Sequence, residues 1–216
     1  MHAGPSWSKV GESALSRLPA VLARASLAAG VEPPRLGGAK MTKNLLLRAA
    51  DAGDVERITA LHVASWRQHY RGILPDEYLD LRAWDERLLV WRQRFAAERP
   101  PWVRLALWQG EPVGFVCLLP DEAPERGVYL DNLHVQAGQQ GRGIGRALMA
   151  AAATEALRVA PGRPLFLWAY QANRDGRAFY RALGGVESAP CEVDTAGGRR
   201  ALALSYQWDD PSCLLL

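Results

Sequence analysis

The sequence contains few of the residues that build metal sites, disulfide frameworks or membrane spans. Its 216 residues include three cysteines, Cys117, Cys191 and Cys213, which are odd in number and far apart. No C-x-x-C pair or Cys/His cluster is present, so neither a zinc site nor a disulfide framework is predicted. The longest apolar stretches, such as residues 165–170, are much shorter than the roughly 18 residues of a membrane span. We therefore expect no bound metal and no membrane contact, with a reducing cytoplasm as the simplest compartment.

An excess of charge of one sign is also missing from most of the chain. The formal net charge is +3, but residues 1–40 carry five bases and two acids, which leaves 21 of each in residues 41–216. This balance gives no support for a basic face that binds nucleic acid. Hydrophobic residues make up 49% of the chain and charged residues 23%, as expected for a globular domain with a packed core.

Residues 1–42 differ in composition from the rest of the chain. They are rich in Ala, Ser, Gly and Pro, and Leu15, Leu18 and Leu22 form a weak helical stripe. Two interpretations compete: a targeting peptide, or a non-native extension ahead of a start at Met41. We favour the extension because the regular pattern begins just after Met41. We expect a poorly ordered or non-native segment at residues 1–42, one domain at 43–208 and a C-terminal tail at 209–216.

Hydrophobic periodicity from residue 45 onward predicts strands and helices in the order β-α-α-β-β-β-α-β-α-β, which indicates a mixed α/β sheet. The expected strands are residues 45–48, 102–108, 113–119, 128–135, 165–170 and 199–208. The expected helices are residues 51–69, a short helix opened by Pro75, and then 84–98, 141–160 and 173–183. Residues 109–112 have the composition of a hairpin turn, and Asn173 is a suitable N-cap.

One stretch combines a strand, a glycine-rich turn and the start of a helix. It reads Leu130-Asp-Asn-Leu-His-Val-Gln-Ala-Gly-Gln-Gln-Gly-Arg-Gly-Ile-Gly-Arg-Ala-Leu-Met149. Its closely spaced glycines allow close approach to the backbone, and the free N–H groups of a first helical turn suit a pyrophosphate. A Rossmann loop does not fit, because the spacing is G-x-G-x-G and the next strand does not end in an acidic residue. A P-loop does not fit either, because Gly-Lys-Ser/Thr is missing.

This stretch resembles motif A of the GNAT acetyltransferases, through Gln140, Gly143 and Gly145 after the strand end Leu133-His-Val135. Residues 165–184, with Asn173 and the pair Phe179-Tyr180, resemble motif B, and residues 64–78 resemble the substrate-side helices of many bacterial members. The resemblance covers roughly residues 45–207. It implies a mixed, mostly antiparallel central sheet with flanking helices and a V-shaped splay between the two middle strands.

The resemblance also implies acetyl-CoA as the acetyl donor. The loop would bind the CoA pyrophosphate, and strand amides would bind the pantetheine arm and the acetyl carbonyl. The implied cofactor contacts are Leu133, His134, Val135, Gln140, Gly141, Arg142, Gly143, Ile144, Gly145, Arg146, Asn173 and Tyr180. Tyr180 matches the family tyrosine that protonates the departing thiolate, and a purely structural aromatic is the alternative.

The group that accepts the proton of the amine is less clear from the sequence. Asp131 is the only carboxylate on the strand at residues 128–135, and alternation puts it on the face of Leu133 and Val135. A frequent family position for a glutamate, two residues earlier, holds Tyr129 instead, so a structural role for Asp131 stays open. The histidines near the site are predicted to be structural or weaker alternative bases: His134, His62 and His69.

The acceptor is expected to bind against Trp66, Tyr70 and Asp131, which offer aromatic walls and a carboxylate for a cation. Ordinary core packing of the two aromatic residues fits the sequence equally well. The expected reaction is direct acetyl transfer to a primary amine of a small molecule or peptide, in a ternary complex, and similar proteins are commonly homodimers. Three alternatives stay open: another acyl-CoA, a macromolecular acceptor such as a protein N-terminus or an aminoacyl-tRNA, and a catalytically silent CoA-binding module.

Overall fold

The computed structural model describes residues 44–215, and the extension predicted at residues 1–42 lies outside this part of the chain. The elements in chain order are β1 (Leu45–Ala49), α1 (Val55–His69), α2 (Ala83–Ala96), β2 (Trp102–Trp108), β3 (Glu111–Leu119), β4 (Val128–Val135), α3 (Ile144–Val159), β5 (Leu165–Tyr170), α4 (Arg174–Ala182), β6 (Val186–Glu187), β7 (Cys191–Asp194) and β8 (Arg200–Trp208). Short 3-10 turns precede α1 at Ala52–Asp54 and follow β8 at Pro211–Leu215.

The eight strands of the described residues form one sheet in the order β1-β2-β3-β4-β5-β8-β6, with β7 also paired to β8. Only β4 and β5 pair in parallel, and the other pairs are antiparallel. The mixed, mostly antiparallel sheet predicted from the sequence is therefore confirmed. β6 and β7 were not predicted, because strands of two and four residues are too short to show an alternating pattern.

The hairpin between β2 and β3 turns through Gln109 and Gly110, which both have positive φ angles of 54° and 89°. A two-residue turn of this kind matches the natural twist of the flanking strands. A capping box fixes the 3-10 turn that leads into α1: the Asp51 side chain accepts from the Gly53 N–H, and the Asp54 side chain accepts from the Asp51 N–H. Arg48 of β1 bonds the same Asp54 carboxylate at 2.6 Å, which ties the helix to the sheet edge.

Two helical predictions need correction. The short helix at Pro75 and the helix at 84–98 are one continuous helical run from residue 76 to 96, which passes through a π-helical turn at Tyr78–Arg82. No glycine or proline interrupts residues 76–96, so nothing in the sequence stops the helix. The helix expected from residue 141 begins at Ile144, because Gly141 and Gly143 have positive φ angles that a helix does not allow.

The sheet separates two layers of core. One layer lies under α3, with Leu148 and Met149 packed against strand residues and against Leu214 of the C-terminal turn. The other lies under α1 and α2, where Ile58, Trp91 and Phe115 are fully buried. Within residues 44–215, no helix has the length and apolar character needed to cross a membrane.

Candidate active site

A cleft opens in the middle of the sheet, where the two parallel strands pair over only part of their length. β4 and β5 are in register over three residue pairs, of which the last is Leu130 with Leu167. Beyond that pair, β4 continues to Val135 beside β3, and β5 continues to Tyr170 beside β8. The space between the diverging strands belongs to a cleft of about 480 Å³, a volume that suits a small ligand. The V-shaped splay expected from the sequence is confirmed.

The strands separate at a β-bulge in β4. The register with β3 passes from Cys117 opposite Asn132 to Leu118 opposite Leu130, so Asp131 has no counterpart on β3. A bulge of this kind bends the strand that carries the extra residue and interrupts its regular alternation. The bend lies where pairing with β5 ends, and this helps to open the cleft.

The side chain of Asp131 lies on the α2 side of the sheet. Its Oδ2 accepts hydrogen bonds from Nη1 of Arg94, at 2.7 Å, and from Nδ2 of Asn132. Leu133 and Val135 pack instead against the core cluster that contains α3. The prediction that Asp131 shares their face is therefore wrong, because the bulge shifts the alternation by one residue.

The Arg94–Asp131 pair is shielded from solvent, with 13% and 12% of the side chains exposed. Burial opposes the charge of Arg94, but the carboxylate of Asp131 keeps the pKa of this guanidinium above its ordinary value. The guanidinium also lies over the ring of Trp91, 5.0 Å from its centroid. The carboxylate of Asp131 therefore lines the cleft, and its partner Arg94 is held in place by α2.

Two uncharged histidines line the same wall. The His134 ring lies 4.7 Å from that of His62, and its Nδ1 is 2.8 Å from the Ser65 hydroxyl. Nδ1 of His62 accepts a hydrogen bond from the indole of Trp91 at 3.2 Å. Burial, with a smaller contribution from His69, lowers the pKa of His134 to about 3, and burial likewise holds the pKa of His62 well below its ordinary value. Both rings are therefore neutral at neutral pH.

The glycine-rich loop follows β4 directly and leads into α3. Gly141 and Gly143 have φ angles of 76° and 82°, which favour glycine, and a Cβ at either position would meet no atom within 4 Å. Gly143 is the N-cap of α3 and provides no side-chain cap, so the first-turn N–H groups are open to a ligand. Gly145 has another role: a Cβ there would lie 3.1 Å from the ring of Phe179, so its absence lets α4 approach α3.

The side chains of the loop differ in their surroundings. Arg142 lies over the ring of Trp108, 5.2 Å from its centroid, and Arg146 is exposed on the first turn of α3. The side-chain nitrogen of Gln140 is 3.5 Å from Nε2 of His69 at the end of α1. The two arginines thus add positive charge near a helix N-terminus, which already favours anions.

Helix α4 brings Tyr180 to the cleft. Asn173 caps this helix, because its side-chain oxygen accepts from the Gly176 N–H at 3.1 Å. The ring of Tyr180 packs 5.2 Å from that of Tyr206 on β8. Burial, with a smaller contribution from Tyr206, raises the pKa of Tyr180 above its ordinary value, so the hydroxyl keeps its proton at neutral pH.

The structure brings together some of the residues selected from the sequence. The cleft lining includes Trp66, Tyr70, Asp131, Leu133, His134 and Tyr180. Val135, Asn173 and residues 140–146 are not part of that lining, although the loop begins directly after β4. Within residues 44–215, no group of three or more His, Cys, Asp or Glu side chains is arranged to hold a metal ion.

Several residues of the cleft were missed from the sequence. They are Glu86, Arg87 and Arg94 on α2, Trp168 and Tyr170 on β5, and Cys191, Val193 and Asp194 on β7. The sequence does contain a pattern for the two arginines. Arg87 and Arg94 are seven residues apart, so they lie on one face of the helix, beside the buried Trp91. Sequence alone could not separate such a pair from arginines that lie along the surface.

Comparison with known proteins gives a consistent result. A model of the acetyltransferase (GNAT) family matches residues 60–184. The probable N-acetyltransferase Rv2775 of Mycobacterium tuberculosis is 30% identical over 138 residues, which cover 63% of this chain and 77% of that protein.

Solved structures share the fold at lower identity. The PaiA N-acetyltransferase from Thermoplasma acidophilum, in complex with coenzyme A, is 20% identical with a TM-score of 0.59, over 76% of this chain and 99% of that one. YncA from Salmonella typhimurium, with its cofactor acetyl-CoA, is 22% identical with a TM-score of 0.57, over 77% of this chain and 94% of that one. At these identities the likeness establishes the fold.

Proposed function

The chain belongs to the GNAT family of acetyltransferases, and on this premise we propose that it transfers the acetyl group of acetyl-CoA to a primary amine by direct attack in a ternary complex. The observation that carries the proposal is the divergence of β4 and β5 after Leu130 and Leu167, with Tyr180 facing the resulting cleft. The glycine-rich loop begins where β4 ends, so an anion site and a reaction cleft adjoin one strand.

The residues after β4 suit the donor. Gly141 and Gly143 leave open space beside the first turn of α3, which has no capping side chain from the described residues. We assign residues 140–146 to the pyrophosphate of the donor. On the cleft side, no described strand pairs with β4 beyond Leu130, so backbone groups near Leu133 and Val135 are available to the pantetheine arm and the acetyl carbonyl. Donors of this kind stabilise a developing oxyanion by about 2.7–4 kcal/mol each.

Tyr180 is the proposed general acid. Its side chain lines the cleft. Because burial raises its pKa, the hydroxyl retains its proton until negative charge develops on the departing sulfur. It then donates a hydrogen bond and finally a proton to that sulfur.

Asp131 is the proposed acceptor of the proton from the amine, through a water molecule. Its carboxylate lines the cleft and is paired with the charged Arg94. The neighbouring His62 and His134 are weaker candidates, because burial lowers the pKa of both and keeps them neutral, so neither ring attracts an ammonium group as a carboxylate does. All three cysteines lie in the described residues and are free, which supports a reducing compartment, and we propose the cytoplasm.

A thiol-release assay tests the proposal. The purified protein is incubated with acetyl-CoA and a panel of amino acids, polyamines, aminoglycosides and N-terminal peptides, and free CoA is measured. Amine-dependent release supports acetyl transfer. Binding of acetyl-CoA without release, measured by calorimetry, contradicts transfer to these amines and favours a macromolecular acceptor, another acyl group or a silent module. Failure to bind acetyl-CoA contradicts the whole proposal.

A further inference from the structure

Arg87 of α2 lines the cleft with most of its hydrogen-bonding capacity unused. The side chain is 13% exposed, and its guanidinium lies over the ring of Trp66, 5.0 Å from the centroid. Its Nη2 donates to Glu86 at 2.7 Å, whereas its buried Nε has no partner within residues 44–215. Buried N–H groups are normally paired, so the described chain leaves this guanidinium under-satisfied, and the side chain lies where a ligand of the cleft can contact it.

Glu86 satisfies Arg87 only in part. Its Oε1 also accepts a hydrogen bond from the hydroxyl of Tyr78 at 2.9 Å, so one carboxylate oxygen serves two donors. A planar guanidinium presents five N–H groups and prefers two parallel bonds to a carboxylate. A second carboxylate that enters the cleft can therefore bind Arg87 without displacing Glu86.

The described lining of the cleft carries three carboxylates and two arginines. Arg94 is paired with Asp131, and Arg87 is paired with Glu86. The remaining carboxylate of the described lining belongs to Asp194, which is 70% exposed and lies 3.9 Å from Arg200. The one surplus carboxylate is therefore an exposed one beside Arg200, whereas a polyamine needs several carboxylates and would be repelled by Arg87.

Aromatic rings form the wall between α1 and the end of β5. The ring of Tyr70 meets that of Tyr170 edge to face at 5.1 Å, and lies 6.0 Å from that of Trp66. These rings line the same cleft as Arg87 and Tyr180. Such a wall suits the apolar side chain of a small acceptor, while Arg87 suits its anionic group.

We propose that the acceptor is a free α-amino acid with an apolar side chain, whose carboxylate binds Arg87 while its amine faces Asp131 and Tyr180. This inference rests on the proposed acetyl transfer and specifies its acceptor. The amino nitrogen forms a bond to the acetyl carbon, and the carbon–sulfur bond of the thioester breaks. The ammonium group loses two protons in total. One leaves to solvent through Asp131. The other replaces, on Tyr180, the proton that Tyr180 delivers to sulfur. The products are the N-acetylamino acid and the CoA thiol.

The test compares acceptors that differ only at the carboxylate. CoA release by the full chain is measured with phenylalanine, phenylalaninamide and phenethylamine, with leucine, leucinamide and isoamylamine, and with spermidine. We expect kcat/KM for each amino acid to exceed that of its amide and its decarboxylated amine by about 10- to 100-fold, the usual effect of a charge-assisted hydrogen bond. Arg87→Gln should remove this preference by raising KM for the amino acid, so that the amino acid, its amide and its amine are acetylated with similar kcat/KM.

Two controls separate recognition from folding. Arg92→Gln alters an arginine on the same helix that is 62% exposed and lies outside the cleft lining, so the preference should persist. In the presence of CoA, phenylalanine should raise the unfolding temperature of the wild-type protein and of Arg92→Gln, but not that of Arg87→Gln. Arg87→Lys, which retains the charge, should restore part of the preference.

The outcomes distinguish this inference from the proposed function. Equal or better turnover of the amide, of the amine or of spermidine overturns the amino-acid acceptor and leaves acetyl transfer intact. No release with any amino acid also overturns it, and calorimetry with acetyl-CoA then decides whether the proposed function fails as well. An Arg87→Gln protein that is folded and keeps the preference overturns the assignment to Arg87.

Discussion

The carboxylate of Asp131 accepts a 2.7 Å hydrogen bond from the guanidinium of Arg94, and Asp131 is the extra residue of the β4 bulge. This contact ties α2 to the strand at the point where the sheet opens. Both side chains are largely buried, so water cannot stabilise either charge if its partner is removed. The pair therefore combines a structural role with the proposed acceptance of a proton from the amine.

Replacing Asp131 tests both roles. Asp131→Asn leaves the cation of Arg94 buried without its partner, and we expect a loss of about 3–5 kcal/mol in the free energy of unfolding. If Asp131 accepts the proton, kcat/KM should also fall by about 100-fold or more. Urea unfolding and steady-state kinetics at fixed pH measure the two effects separately.

A double variant separates these contributions. Asp131→Asn with Arg94→Met removes both charges, so most of the lost stability should return. Activity should stay low, because the proton acceptor is still missing. Recovery of activity together with stability would show that Asp131 acts only by holding Arg94.

Removing the hydroxyl of Tyr180 tests the proposed general acid. Tyr180→Phe keeps the ring that packs against Tyr206, so the fold should persist. We expect kcat to fall by about 100- to 10,000-fold, while the Kd for acetyl-CoA from calorimetry stays unchanged. Tyr206→Phe is the matched control, because its hydroxyl bonds Glu187 and Tyr206 does not line the cleft. An active Tyr180→Phe protein would contradict the assignment.

The strands at the centre of the fold could be predicted because their patterns are local. The bounds of β4 and β5 agree with the expectation, and so do those of β2, since each is rich in apolar residues and lies close to glycine or proline. The bulge at Asp131 could not be predicted, because a bulge exists only relative to the register of a neighbouring strand. For this reason the side of the sheet on which the carboxylate lies was also predicted wrongly.

The acceptor half of the cleft was harder to predict than the glycine-rich loop. The loop is a contiguous motif whose glycine spacing carries its own physical meaning. The part of the cleft proposed for the acceptor combines Arg87 of α2, Tyr170 of β5 and Cys191 of β7, which are far apart in sequence. Only the tertiary arrangement brings them together, and β7 itself was too short to be detected.

The two glycines at the start of α3 should respond differently to substitution. Gly145→Ala places a Cβ 3.1 Å from the ring of Phe179, and we expect a loss of about 1–3 kcal/mol in stability together with weaker acetyl-CoA binding. Adding Phe179→Leu should recover part of both, because it makes room between α3 and α4. At Gly143 a Cβ would meet no atom within 4 Å, but the φ angle of 82° is unfavourable for alanine. Gly143→Ala should therefore lose about 1–2 kcal/mol in stability, and Phe179→Leu should not restore it. Thermal unfolding and calorimetry measure the four proteins, and equal rescue of both glycine variants would contradict this distinction.

Stability should depend on pH through the two histidines that line the cleft. In the folded protein the pKa of His62 is well below the ordinary value and that of His134 is about 3, in both cases chiefly because of burial. Below about pH 6.5 the unfolded chain therefore binds protons that the folded protein excludes. The free energy of unfolding has its full value above that pH and decreases as the pH falls. Each histidine contributes a slope of about 1.4 kcal/mol per pH unit below that point. Carboxylates with a lowered pKa, such as Asp54, act only below about pH 4, outside this window.

Urea unfolding at pH 7.5, 6.5 and 5.5 measures this slope. His134→Gln should reduce this slope by about half, because the unfolded variant then binds only one proton that the folded variant does not bind. His69→Gln is the control, since His69 meets Gln140 in an exposed position and lies outside the cleft lining. A stability that stays level from pH 7.5 to 5.5 would mean that the folded protein accepts these protons. His62 or His134 would then be charged beside Asp131 and able to act as a base, and the assignment of proton acceptance to Asp131 alone would have to be abandoned.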